Sequence, residues 1–149
     1  MVTFLDTTFV LSIILETDKT PIARGYFEAT ADSLEMSMSV YEEAFYVGIT
    51  LLAEDRLNIK GKFDVKAHIK RKGYAFAEDF IARLHQFCNH IALIDDTKDI
   101  NLIKDITENY RLLPNDALIA ATCKHYGIPK IATFDPDFEG VDFLEIITE

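Results

Sequence analysis

Val2-Thr3-Phe4-Leu5-Asp6 opens the chain with a short apolar run that stops at an acid, and Thr7-Thr8-Phe9-Val10 continues it with helix-like spacing. We read Val2–Asp6 as a buried strand and Thr7 to about Glu16 as a helix. The same grammar recurs downstream. Pro21 suits the first turn of a second helix running to about Ala31. Met36–Val40 reads as a second strand. It feeds a helix from Tyr41 to about Ala53, with Ala44, Val47, Gly48 and Leu51 at helical spacing. Tyr74–Asn89 is a further helix whose Phe76, Phe80, Leu84 and Phe87 form a core or subunit-contact stripe. Ile91–Ile94 is a third strand, and helices follow at Asp99–Tyr110 and Asn115–Tyr126. Gly127 is placed to end the last of these, with Pro129 just beyond. Lys130–Phe134 and Asp142–Ile147 complete the pattern as fourth and fifth strands. Alternating strands and helices, with strands that are continuous apolar runs, predict a mainly parallel sheet of about five strands covered on both faces.

With 149 residues, 49% of them apolar, the expectation is one domain, 1–149, with a full core. No apolar run approaches the roughly 20 residues of a membrane span. The N-terminus carries no basic stretch of the secretory kind, so a cytoplasmic protein is expected. Cys88 and Cys123 form no C-x-x-C and read as buried free thiols. The net charge of −10 argues against a broad nucleic-acid-gripping surface. The distribution argues otherwise for one region. Six of the fifteen basic residues, Lys60, Lys62, Lys66, Lys70, Arg71 and Lys72, lie in a helix–loop excursion around 55–74, which Gly61 and Gly73 bracket. That run is either a solvated surface or a local guide for phosphates.

Four acids sit where strands end or helices begin: Asp6, Glu43, Asp116 and Asp135. Each has an ordinary reading: helix cap for Asp6, rim exposure for Glu43, dipole complement for Asp116, turn former for Asp135. One shared site explains all four. In a doubly covered parallel sheet the carboxyl ends of the strands form the binding crevice. Carboxylates gathered there repel one another unless a cation joins them. Hard oxygen ligands suit Mg²⁺ or Mn²⁺, and such ions assist hydrolysis of phosphodiesters. Glu43 is preferred over Glu42, which points about 100° further round the helix. Asp137 reads either as an acid supporting the site from behind the others or as a surface residue, and the surface reading is preferred.

These residues resemble the motifs of PIN-domain nucleases. Phe4-Leu5-Asp6-Thr7-Thr8 is similar to the family's opening strand motif, with Thr8 where the family usually has Asn or Ser. Ser37 through Tyr46, containing Glu43, resembles the second motif. Asn115-Asp116-Ala117-Leu118-Ile119-Ala120-Ala121 resembles the third, and Thr133-Phe134-Asp135-Pro136-Asp137-Phe138 the closing Thr-x-Asp-x-x-Phe pattern. The small single-domain form looks most like the VapC toxins of toxin–antitoxin pairs. The resemblance implies a three-layer α/β/α sandwich in which Asp6, Glu43, Asp116 and Asp135 hold Mg²⁺ or Mn²⁺ and activate water for RNA cleavage. It makes Thr8 and Thr133 polar helpers, and implies a homodimer and an antitoxin partner.

Other readings are a non-catalytic PIN-like RNA-binding or assembly module, and an RNA-processing nuclease outside any toxin–antitoxin pair. A haloacid-dehalogenase-type phosphatase would need a second Asp where Thr8 stands. A receiver domain would need an acidic pair ending the first strand and a Lys ending a late one. Lys130 instead opens its strand.

Overall fold

Five strands and seven α-helices alternate along residues 1–147, which are those the computed structural model describes. The strands are β1 (Val2–Leu5), β2 (Ser33–Ser37), β3 (Ala92–Ile94), β4 (Lys130–Ala132) and β5 (Glu145–Ile147). The helices are α1 (Thr7–Ile14), α2 (Thr20–Ala29), α3 (Met38–Leu57), α4 (Lys62–Lys72), α5 (Glu78–Cys88), α6 (Ile100–Tyr110) and α7 (Pro114–Tyr126). Short 3₁₀ turns occupy Ala75–Ala77 and Pro136–Gly140. The sheet is parallel throughout, in the order β3-β2-β1-β4-β5.

That order has a mechanical meaning. The chain builds outward from β1 to β3, then returns to the other side of β1 with β4. Right-handed crossovers therefore lay α1–α5 on one face and α6–α7 on the other. The packing agrees: α1 contacts α2, α3 and α5, while α6 and α7 pack on each other. The reversal between β1 and β4 opens a crevice at their carboxyl ends. Their register pairs Leu5 with Ala132, so Asp6 and Thr133 leave the sheet side by side. The Asp6 amide still donates to the Ala132 carbonyl at 3.0 Å, which carries the ladder to the edge of the crevice.

The central strand is the most deeply buried. Phe4 and Leu5 are fully enclosed, as are Ile131 and Ala132 opposite. Phe80, Leu84 and Phe87 of α5 point into the core, as their spacing anticipates, and Phe80 packs directly over Gly48 of α3. Cys123 is buried and Cys88 half-buried, both as free thiols.

Several boundaries differ from the sequence reading. The second strand is Ser33–Ser37, not Met36–Val40, and the following helix already starts at Met38. Val40 belongs to the helix: it and Ala44, one turn on, are both fully buried. The same helix runs on to Leu57, where Asn58 adopts φ 53° and ends it. Leu51 lies off its buried face and is 48% exposed; Ile49, Leu52 and Ala53 fill the core instead. The excursion around 55–74 is thus the end of α3 plus a discrete helix, α4. Gly61 and Gly73 flank that helix with φ 86° and 73°, values that residues with a Cβ rarely adopt. The fourth strand stops at Ala132 and the fifth begins at Glu145.

Candidate active site

Asp6 is the deepest acid at the crevice. It occupies the N-cap position of α1, but its side chain makes no capping hydrogen bond, which removes the ordinary explanation for it. It is 3% exposed and accepts two hydroxyl hydrogen bonds on Oδ2, from Thr133 Oγ1 at 2.6 Å and Thr8 Oγ1 at 3.0 Å. Both hydroxyls are themselves oriented by backbone amides. The Phe134 amide donates to Thr8 Oγ1 at 2.9 Å, and the Asp135 amide to Thr133 Oγ1 at 3.0 Å. Their protons are thereby aimed at Asp6. Burial nevertheless pushes the Asp6 carboxyl above its usual range; the two hydroxyls and the Thr7 amide oppose that shift, and the charge of Asp135 adds to it.

Asp116 stands in the first turn of α7, placed by Pro114 at the helix start. Its carboxyl is pushed up to about 6, first by burial and then by the charges of Asp135, Asp6, Asp137 and Glu43. Those four acids come from three separate parts of the chain, the end of β1, α3 and the turn after β4, and Asp116 on α7 feels all of them. Asp135 follows β4, and its Oδ1 accepts from the Asp137 amide at 2.9 Å, curling the 3₁₀ turn back on itself. Asp116, Asp135 and Asp137 each offer an oxygen within 4.8 Å of the others.

Glu43 projects from the second turn of α3 and is half-buried, whereas Glu42 is exposed. Burial raises the Glu43 carboxyl, Asn115 opposes the shift, and the charges of Asp6 and Glu42 add to it. Asn115 Nδ2 donates to Glu43 Oε2, linking the start of α7 to α3. The Thr7 hydroxyl is buried and meets no partner at hydrogen-bonding geometry among the described residues, yet it lies near enough to Glu43 to oppose that carboxyl's upward shift. At the outer side, Ser39 Oγ donates to Asp96 Oδ1 at 2.7 Å and fastens the first turn of α3 to the loop after β3.

The four acids named from the sequence therefore meet at one mouth, but the tightest trio is Asp116, Asp135 and Asp137. Asp137 is exposed, as expected of a surface residue, yet its carboxylate joins the cluster rather than standing apart from it. Asn115 and Thr7 join the site although the sequence does not mark them as site residues. Asn115 immediately precedes Asp116, but nothing in its own neighbourhood points to a partner 72 positions away.

This donor set is suited to a hard divalent ion: every donor is oxygen, most are carboxylate, and Thr7 supplies a buried hydroxyl with capacity to spare. Like charges held this close raise one another's pKa in the absence of a cation, as Asp116 shows.

An all-parallel sheet whose switch point carries an oxygen-lined acidic crevice defines the class: an α/β domain with a carboxylate centre. The chain belongs to the PIN-domain family, whose model matches residues 3–144. It is 30% identical to Ribonuclease VapC6 of Methanocaldococcus jannaschii over 154 aligned positions, which cover 98% of this chain and 96% of the relative. The same fold is found in the VapBC2 complex of Rickettsia felis bound to a promoter DNA fragment. The TM-score is 0.65 at 17% identity, covering 99% of this chain and 98% of that one. It also occurs in the Mycobacterium tuberculosis toxin VapC20, which cleaves the sarcin–ricin loop. There the TM-score is 0.63 at 16% identity, covering 97% of this chain and 98% of that one.

Proposed function

We propose that this chain is a metal-dependent endoribonuclease, the toxin of a VapBC-type pair. The observation that carries the reading is the meeting of Asp6, Glu43, Asp116 and Asp135 at the β1/β4 switch point, where burial and then the neighbouring charges push the Asp116 carboxyl up to about 6. Family membership and the ribonuclease relative support the same activity.

Mg²⁺ or Mn²⁺ bound there would acidify a coordinated water and neutralise charge on the phosphodiester. Asp6, Glu43, Asp116 and Asp135 would hold the ion. Thr133 and Thr8 oppose the upward shift that burial imposes on Asp6 and fix its carboxylate in rotation. Asn115 does the same for Glu43 from the opposite helix. Asp116 lies close enough to neutrality that loss of its proton and arrival of the cation are coupled. Asp137 widens the acidic rim beside Asp135. The basic residues of α4 and its approach, Lys60, Lys62, Lys66, Lys70, Arg71 and Lys72, are candidates for RNA contact in a chain that otherwise repels phosphate.

The partners in this reading are RNA, an antitoxin and a second copy of the chain in a homodimer. A basic side chain from an antitoxin tail could pair with the acidic mouth in place of the cation. The described residues contain no helix long and apolar enough to cross a membrane, and the reading places the protein in the cytoplasm.

Cleavage of an RNA substrate with Mg²⁺ or Mn²⁺, compared among wild type, Asp6→Asn and Asp116→Asn, tests the activity. Both variants are expected to lose cleavage while keeping a cooperative unfolding transition, and Glu43→Gln is expected to cost far more activity than Glu42→Gln. Undiminished cleavage by both Asn variants would remove these acids from the catalytic role, whereas no cleavage by wild type with either metal would return weight to a binding or assembly module, which has no use for the four acids.

A further inference from the structure

A groove beside α3 has an unusual combination of linings. Its volume is about 320 Å³, and it runs between α3 and α4. Its floor is apolar, formed by Ile49, Val65 and Ile69. Lys62, Lys66 and Lys70 line it from α4. Their i, i+4, i+8 spacing places them in one row, about 6 Å apart along the helix. Two further basic residues of this region lie elsewhere: Lys60 and Arg71 line a separate cleft with Asn58 and Asp64. The run of positive charge that looked uniform in sequence is thus sorted by α4 into two sides, and three lysines face the groove.

Two aromatic rings complete it. Tyr46 is 46% exposed and Tyr74 44% exposed, and both line the groove. Tyr46 is three residues beyond Glu43 on α3, on the adjacent position of the same helix face and about 4.5 Å further along the axis. The groove therefore begins one turn from a candidate ligand of the acidic centre.

We infer that this groove is the track for an unpaired RNA strand leaving the cleavage site, with bases stacked on Tyr46 and Tyr74 and phosphates on Lys62, Lys66 and Lys70. This rests on the proposed ribonuclease activity and adds to it the path of the substrate. Charge complementarity selects an anion, because the groove concentrates lysines in a chain of net charge −10. The apolar floor and open rings select unpaired bases: a duplex hides its base faces and would use only the lysines. Aromatic platforms beside a basic row are the general solution for single strands.

The experiment is fluorescence anisotropy with a labelled oligouridylate of about twelve nucleotides and, in parallel, the same length as an RNA duplex. It is run in EDTA so that affinity is read without metal-dependent cleavage. Tyr46→Ala is expected to weaken the single strand about tenfold, with Tyr46→Phe restoring most of the affinity. Lys66→Glu is expected to weaken it at least as much and to lower the salt dependence by about 0.7 in log–log slope. Lys104→Glu, a matched charge change on α6, is expected to cost much less. Duplex affinity should be insensitive to Tyr46→Ala. All four substitutions are at exposed positions, and circular dichroism confirms folding. Equal losses for Lys66→Glu and Lys104→Glu, or no change in Tyr46→Ala, overturn the proposal. So does a Glu-rich amphipathic peptide that loses affinity in Tyr46→Ala when the oligonucleotide does not, which makes the groove a protein site. Persistence of cleavage in Asp116→Asn would count against the nuclease reading alone and leave the affinity result standing.

Discussion

Replacing Asp116 by Asn is expected to stabilise the metal-free protein, although it removes a residue proposed for the active site. In the folded chain the Asp116 carboxyl sits at about 6, against 3.8 for an unperturbed Asp. The sign follows directly. Between those values the folded form keeps its proton while the unfolded form has released it. Rising pH therefore favours unfolding, and the penalty is complete above about pH 6. A gap of about two pKa units corresponds to about 3 kcal/mol. Asp116 is only half-buried, so solvent screening reduces this to about 1.5 kcal/mol. Asn also forfeits about 0.5 kcal/mol of favourable charge–dipole interaction at the start of α7. The net gain is about 1 kcal/mol, or about 2–4 °C in Tm for a chain of this size. Thermal unfolding followed by circular dichroism in EDTA at pH 8 measures it. The gain should shrink steadily as pH falls through 6 towards 4. With millimolar Mn²⁺ the order should reverse, since only wild type gains binding stabilisation. An Asn variant equal to or less stable than wild type in EDTA at pH 8 would refute the argument that repulsion and burial strain this site.

Thr133→Val removes the 2.6 Å hydrogen bond to buried Asp6 and leaves Thr8 as its hydroxyl partner. Mn²⁺ affinity by isothermal titration calorimetry is expected to fall about tenfold, and an unchanged affinity would remove Thr133 from the centre. Gly48→Ala would place a Cβ 2.0 Å from the Phe80 ring, which is itself enclosed by the core. The expected loss is about 3 kcal/mol in urea unfolding, despite the better helix propensity of Ala, which is worth about 1 kcal/mol. An unchanged midpoint would show that α5 can move away from α3.

The acids were legible because each interrupts a strong local pattern. Asp6 ends the run Val2–Leu5, and Asp116 opens an alanine-rich helix. Their meeting place followed from the alternation of strands and helices, which the parallel sheet bears out. Boundaries were less visible. Met36-Ser37-Met38-Ser39-Val40 mixes the buried end of β2 with the first turn of α3, and both stretches carry apolar residues. The outer part of β2 is exposed or half-buried at Ser33–Glu35, so it lacks the apolar signature of a strand. The role of Asn115 is invisible in the sequence, because an amide bonded to a carboxylate 72 residues away leaves no local signal. The sequence favours a surface position for Asp137, and the residue is exposed. What exposure does not reveal is the backbone turn that carries its carboxylate back beside Asp135. The division of the basic run into a groove face and an outer face depends on α4 being a helix bounded by Gly61 and Gly73, which sequence bracketing suggested without giving its orientation.

Anomalous scattering from crystals grown or soaked with Mn²⁺ tests the central claim most directly. The expected result is a peak at the carboxyl ends of β1 and β4, about 2.1 Å from oxygens of at least two of Asp6, Glu43, Asp116 and Asp135, and no such peak in crystals of Asp116→Asn. A fully occupied Mn²⁺ elsewhere, with the acidic mouth empty at millimolar metal, would contradict it.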